Sequence, residues 1–151
     1  MFSCLRKTVI ILALTLPTLF AHADEASIGT IKTLKGSASI ERDGQTVEAT
    51  LGQEVYSQDS IQTGTDGAIG LLFLDDSRVA IGPNSRIALD RFSFDRNTHD
   101  GDFNLSMKQG TLSAIAGKLT EKKPGAMTVK TPSAILAVRG TEFSVKVSPK
   151  E

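Results

Sequence analysis

The chain has no tryptophan, a single tyrosine and a single cysteine, and each scarcity removes a class of function. With Cys4 as the lone thiol, the sequence can form no internal disulfide, no Cys-x-x-Cys redox pair and no cysteine-based metal site. Histidine is nearly as rare. His22 and His99 are the two present, and no G-x-S-x-G elbow accompanies them, so a Ser-His-Asp triad lacks its parts. Sugar-binding surfaces commonly display flat aromatics, but Phe73, Phe92, Phe94, Phe103 and Phe143 fall in strand patterns that read as core. Tyr56 is then the one aromatic with a polar tip. No charge sign dominates either. Seventeen basic residues face 17 acidic ones, which is not the concentrated basic footprint of a nucleic-acid binder. Lys118, Lys122 and Lys123 cluster, but Glu121 lies among them, the pattern of a solvated turn.

The longest apolar run is Val9 to Phe20. Arg6 and Lys7 precede it and Ala21-His22-Ala23 follows. A basic start, an apolar middle and a small-x-small end predict a cleavable secretory signal peptide over residues 1–23. A membrane-spanning helix needs roughly 20 apolar residues; this run is shorter and contains Pro17. Cys4 would leave with the signal. The expectation is a periplasmic or secreted protein, one β domain over residues 24–151, with no integral membrane segment in its mature form.

After residue 23 no long 3.6-residue period is present, and turn signals recur at the short spacing of β structure. Ile28 to Leu34 and Ser37 to Arg42 read as strands, and Asp43-Gly44 as a type I′ hairpin turn. Thr46 to Leu51 returns with Val47, Ala49 and Leu51 alternating. Ala68 to Leu74 is the most apolar strand, turned by Asp75 to Ser77, with Val79 and Ile81 on the way back. Ile87 and Leu89 are odd-numbered but Phe92 and Phe94 even-numbered, which predicts a register change near Asp90-Arg91. Phe103, Leu105 and Met107 alternate, Gln109-Gly110 reads as a turn, and residues 117–125 read as a connection. Gly36, Gly44 and Gly52 recur every eight residues. The fold class is therefore all-β, many short strands in a β-sandwich or a solenoid-like β-roll, with no substantial helix after the signal peptide.

The closing stretch, Thr131 to Val147, reads as the piece that locks the fold. Ala134 to Val138 is continuously apolar, the pattern of a strand covered on both faces. Thr141, Phe143, Val145 and Val147 then alternate with Glu142, Ser144 and Lys146, the pattern of a half-buried strand. Arg139 and Glu142 flank Gly140-Thr141; Arg139 is expected to lay its stem on the sheet and pair with a carboxylate, the alternative being an exposed recognition patch for a partner protein. The string TPSAILAVRGTEFSV resembles the closing motif of FecR domains, TP-x-A-x-x-x-V-R-G-T-x-F-x-V, carried here by Thr131, Pro132, Ala134, Val138, Arg139, Gly140, Thr141 and Phe143. LLFLDDSRVAIGPNSRIAL resembles that family's central segment and GTIKTLKGSASIERDG its opening. One departure stands out: the usual Asp-Gly-Ser turn is here Asp75-Asp76-Ser77.

The resemblance implies an exported all-β module. In the family's founding iron-citrate regulator that module is joined to a cytoplasmic anti-sigma segment and one membrane helix, and receives a signal from an outer-membrane transporter. The residues after 23 leave no room for those parts, so the expectation is a stand-alone FecR-like protein. It would act without catalysis or cofactor, by contact with another envelope or signalling protein. The alternative is a module binding cell-wall glycan or a metal ion. For a metal, Asp95, Asn97, Asp100 and Asp102 surround His99 in one polar loop, but the spacing is not that of a calcium loop, since the glycine falls a position late and no closing Glu follows. Asp75-Asp76 reads as a turn and not as an acid/base pair, because neighbouring residues at a strand end point apart.

Overall fold

The computed structural model describes residues 25–149; the predicted signal peptide lies outside the described residues. Twelve strands and one short helix follow in order. They are β1 (Gly29–Lys35), β2 (Ala38–Arg42), β3 (Gln45–Glu48), β4 (Glu54–Val55), β5 (Ser60–Thr63), β6 (Ala68–Phe73), β7 (Arg78–Ile81), β8 (Arg86–Phe94), β9 (Gly101–Ile115), α1 (Lys118–Lys122), β10 (Met127–Lys130), β11 (Ile135–Ala137) and β12 (Glu142–Val147). The fold is all-β, as the turn spacing predicts. The topology that the sequence left open resolves to one curled sheet, a half-barrel.

The curl is made by β9. Its first half pairs antiparallel with β8 and parallel with β10; its second half pairs antiparallel with β7 and β12. The strand order is β3-β2-β5-β8-β9-β7-β6-β1-β4, so β9 carries the chain from one half of the sheet into the other. A strand that changes sides must keep its apolar residues inward through the corner. The switch is visible in the burial: Phe103, Leu105 and Met107 are buried before the corner, Leu112 and Ala114 after it. The parity changes because the register with β8 skips a residue between Met107 and Gln109. Gly110 sits at the corner with φ +107, and a Cβ there would fall 2.0 Å from Ser85 Oγ. The sequence reading of Gln109-Gly110 as a turn is corrected here: the glycine bends a strand without ending it.

The enclosed face is aliphatic with an aromatic centre. The Phe103 ring lies 4.5 Å from that of Phe73 and 5.0 Å from that of Phe92, the latter edge-on. Such pairs add about 0.5–1.5 kcal/mol beyond their buried area. The predicted hairpin is present, with Asp43 and Gly44 at φ +52 and +76, and so is the register shift between Leu89 and Arg91. A further expectation is corrected. β3 is only four residues long and wholly exposed, with Val47 and Leu51 in solvent, because no second layer covers that end of the sheet. The connection after Gly117 contains the single turn α1, held where Leu119 is buried in the core.

Candidate interaction surface

The motif residues sort into two groups by what they touch. The first group pins turns. Buried Asp75 accepts hydrogen bonds from the Ser77 N–H (3.1 Å) and hydroxyl (2.6 Å), and Ser77 Oγ accepts from the Gly117 N–H at 2.9 Å. Asp76, in the place of the family's glycine, takes φ +67 and pairs with Lys118 at 2.6 Å. That pair holds the Asp76 carboxyl below its ordinary pKa. The two aspartates thus diverge, one into the turn and one into an ion pair, as expected of adjacent strand-end residues. Ser85, the serine of Gly-Pro-x-Ser, donates to the Gly82 carbonyl (2.8 Å) and accepts from the Thr111 N–H (3.0 Å), fastening the turn to β9 just beyond its corner.

A buried ion pair was missed by the sequence reading. Asp59 is fully buried between β4 and β5 and takes two 2.7 Å hydrogen bonds from Arg42, plus one of 2.9 Å from the Tyr56 N–H. The Arg42 guanidinium lies 4.3 Å over the Tyr56 ring, while the Tyr56 hydroxyl donates to Glu54. The one aromatic with a polar tip is therefore committed to this network. The hydrogen bond to Asp59 raises the Arg42 pKa, opposed by partial desolvation. No local pattern links residues 42 and 59; only the pairing of β2 with β5 brings them together.

In the loop after β8, Asp95 Oδ1 accepts from the N–H groups of Asn97 (2.7 Å) and Thr98 (3.1 Å), which lowers the Asp95 pKa. Asp102 sits 3.9 Å from Lys123. Asp95, Asn97 and Asp100 therefore belong to a turn braced by its own backbone, while Asp102 lies in β9. Among the described residues no three His, Cys, Asp or Glu side chains converge in a metal-holding group. His99 stacks on Phe94 with ring centroids 5.9 Å apart, and the two share a cleft of about 370 Å³ with Asp76, Arg96 and Lys118. Asp76 and His99 thus line one cleft, but Asp75 points away from it.

The second group is exposed. β11 pairs with β10 alone, and Ile135 is 70 % exposed, so the expectation of a strand covered on both faces is overturned. Its apolar run lies at the rim, where no further element of the described residues pairs with it. Thr131 and Ala134 hydrogen-bond each other around exposed Pro132, closing the β10–β11 turn. Val138 is buried and anchors the return. Arg139, Gly140 and Thr141 are exposed at the corner into β12. Arg139 takes part in none of the three ion pairs among the described residues, which corrects the expectation of a carboxylate partner. Phe143, Val145 and Val147 are half-buried along β12, which among the described residues pairs only with β9. The closing stretch is therefore a margin, and the lock of the fold is β9. Thr131, Pro132 and Ala134 line one cleft of about 680 Å³ with Lys108, Val145 and Val147; Arg139, Gly140 and Thr141 stand apart from it.

A further feature escaped the sequence reading. On the outer face, the registers set Thr33, Gly70, Ala80, Ser113 and Ser144 in one row across β1, β6, β7, β9 and β12. The first four of these small residues, Thr33 to Ser113, floor a trough of about 560 Å³ walled by Leu72, Arg78, Ile115 and Glu142. Small residues at outward positions were the available signal, but which positions align depends on strand order.

Fold and surface together define an all-β module whose motifs either pin turns or lie on open strand margins. The profile of the family described as FecR protein matches residues 59–151, and the chain belongs to the FecR family. A solved structure described as "Cell surface anchoring domain" shares 31% identity over 40% of this chain and 82% of that chain, with a TM-score of 0.39. No curated protein matches. Family membership fits an envelope-associated module. Among the described residues no helix is long and apolar enough to cross a membrane.

Proposed function

We propose that this protein is an exported, non-enzymatic FecR module that works by contact with another protein of the envelope or of a signalling system. The observation that carries the reading is the placement of the closing motif. Arg139 and Thr141 lie in solvent between two strands, β11 and β12, each with one edge free among the described residues. A free edge offers unpaired backbone donors and acceptors to an incoming strand, and exposed side chains beside it supply selectivity. Turn-pinning by Asp75, Ser77 and Ser85 fixes the ends of β7 to Gly117 and to β9, the strand on which β12 pairs.

The test is site-specific photo-crosslinking in the native envelope. A photoreactive residue at Ile135 or Arg139 is expected to give an adduct of discrete mass, and one at Gln45 on β3 none. Absence of adducts from both closing-segment positions, with the protein exported and folded, refutes the reading.

A further inference from the structure

We propose that the free edge of β12 receives a second copy of this chain, β12 against β12, in one antiparallel register centred on Ser144. The inference rests on the contact reading above and names its partner.

The first observation is the edge itself. β12 is six residues long, contains no proline, and pairs with β9 without a register shift. Protein edges are ordinarily protected by bulges, prolines, brevity or charged side chains; β12 has none of the first three, and its two charges, Glu142 and Lys146, are of opposite sign. Its backbone is aimed correctly. The Ala116 N–H donates to the Thr141 carbonyl, and Glu142 stands opposite Ile115. In an antiparallel ladder, alternate residues turn both backbone groups to the same neighbour. Thr141, Phe143, Val145 and Val147 therefore face β9, and the N–H and C=O groups of Glu142, Ser144 and Lys146 face outward.

The second observation is self-complementarity. With Ser144 opposite its counterpart, Glu142 of each copy meets Lys146 of the other, and these are the residues whose backbone groups are free. On the core-side face, Phe143 meets Val145, both half-buried and open to further cover. Centring on Glu142 or Lys146 instead would oppose like charges, and centring on Phe143 or Val145 would leave both charges facing uncharged residues. Opposite charges in cross-strand pairs stabilise a sheet and like charges destabilise it, so charge selects the Ser144 register.

A third observation was not used to choose the register. Ser144 is the last member of the small-residue row, with its hydroxyl 3.0 Å from that of Ser113. Pairing Ser144 with Ser144 runs that row directly into its counterpart across the two-fold axis.

The experiment is sedimentation equilibrium on protein recovered from expression of the full chain, from micromolar to submillimolar concentration. A monomer–dimer equilibrium is expected. Glu142→Lys and Lys146→Glu, each alone, should weaken the dimer about tenfold, and the double swap should return it to within about threefold of the original. Thermal melts of the three variants check that each is folded. A folded chain that stays monomeric, or a dimer that ignores the single swaps or is not rescued by the double, overturns the proposal. The two readings separate cleanly. A monomer that still crosslinks to a different protein through Arg139 removes self-pairing and leaves the contact function standing.

Discussion

Replacing Arg42 by methionine keeps most of the stem but strips a fully buried carboxylate of two of its three hydrogen bonds. Breaking a buried pair from one side costs about 3–5 kcal/mol. The Arg42 side chain is 37 % exposed, so water can reach the site and the lower end, about 3 kcal/mol, is the reasoned value. Asp59→Ala releases the guanidinium to solvent and orphans the Tyr56 N–H, a loss of about 2 kcal/mol. The double variant contains neither an unpaired carboxylate nor an unpaired cation. Its cost is about 3 kcal/mol, short of the sum by about 2 kcal/mol of coupling. Urea unfolding followed by far-ultraviolet dichroism measures all four states of this cycle. At roughly 4 °C per kcal/mol for a domain of this size, the Arg42→Met melting point should fall by about 12 °C. A coupling below about 0.5 kcal/mol would refute the view that this pair anchors β2 to β5.

Three other outcomes are expected. Gly110→Ala must place a side chain at φ +107 and 2.4 Å from Ser85 Cα, so a loss of at least about 3 kcal/mol, or failure to fold, should appear in the same unfolding assay. At the departed turn, Asp76→Gly relieves φ +67 but loses the exposed Lys118 pair and should leave the melting point nearly unchanged, whereas Asp76→Val should lower it clearly. The carboxyls of Asp66, Asp76 and Asp95 are all lowered from their ordinary 3.8, by hydrogen bonds from Ser37, by Lys118, and by the Thr98 and Asn97 amides. A depressed folded-state pKa gives stability that is present above the unfolded value and lost as pH falls through the folded one. Melting points should therefore decline below about pH 4, and Asp66→Asn should flatten that decline.

The legible parts were those governed by neighbours in sequence. Asp43-Gly44 declared its turn because two consecutive left-handed residues are tolerated by few other pairs, and the Leu89–Phe92 parity change announced its bulge. The closing motif was legible as a family signature but was misread as architecture. Ile135, Leu136 and Ala137 have the composition of a covered strand, yet all three are exposed and, among the described residues, their strand pairs with β10 alone. Composition records which residues tolerate burial, not whether another element arrives to bury them. Gly110 was misread for a related reason: a glycine can end a strand or bend it, and the choice depends on whether the next residues find partners on the same strand's continuation.

By itself the sequence determined the all-β class, the turns and the alternating faces, because these follow from backbone sterics and a two-residue period acting over a few bonds. Tertiary structure alone decided that β9 spans both halves of the sheet, that Arg42 meets Asp59, and that five small residues line up on the outer face. Those are consequences of strand order. Strand order is settled by many weak long-range contacts together, and no short stretch of the chain contains it.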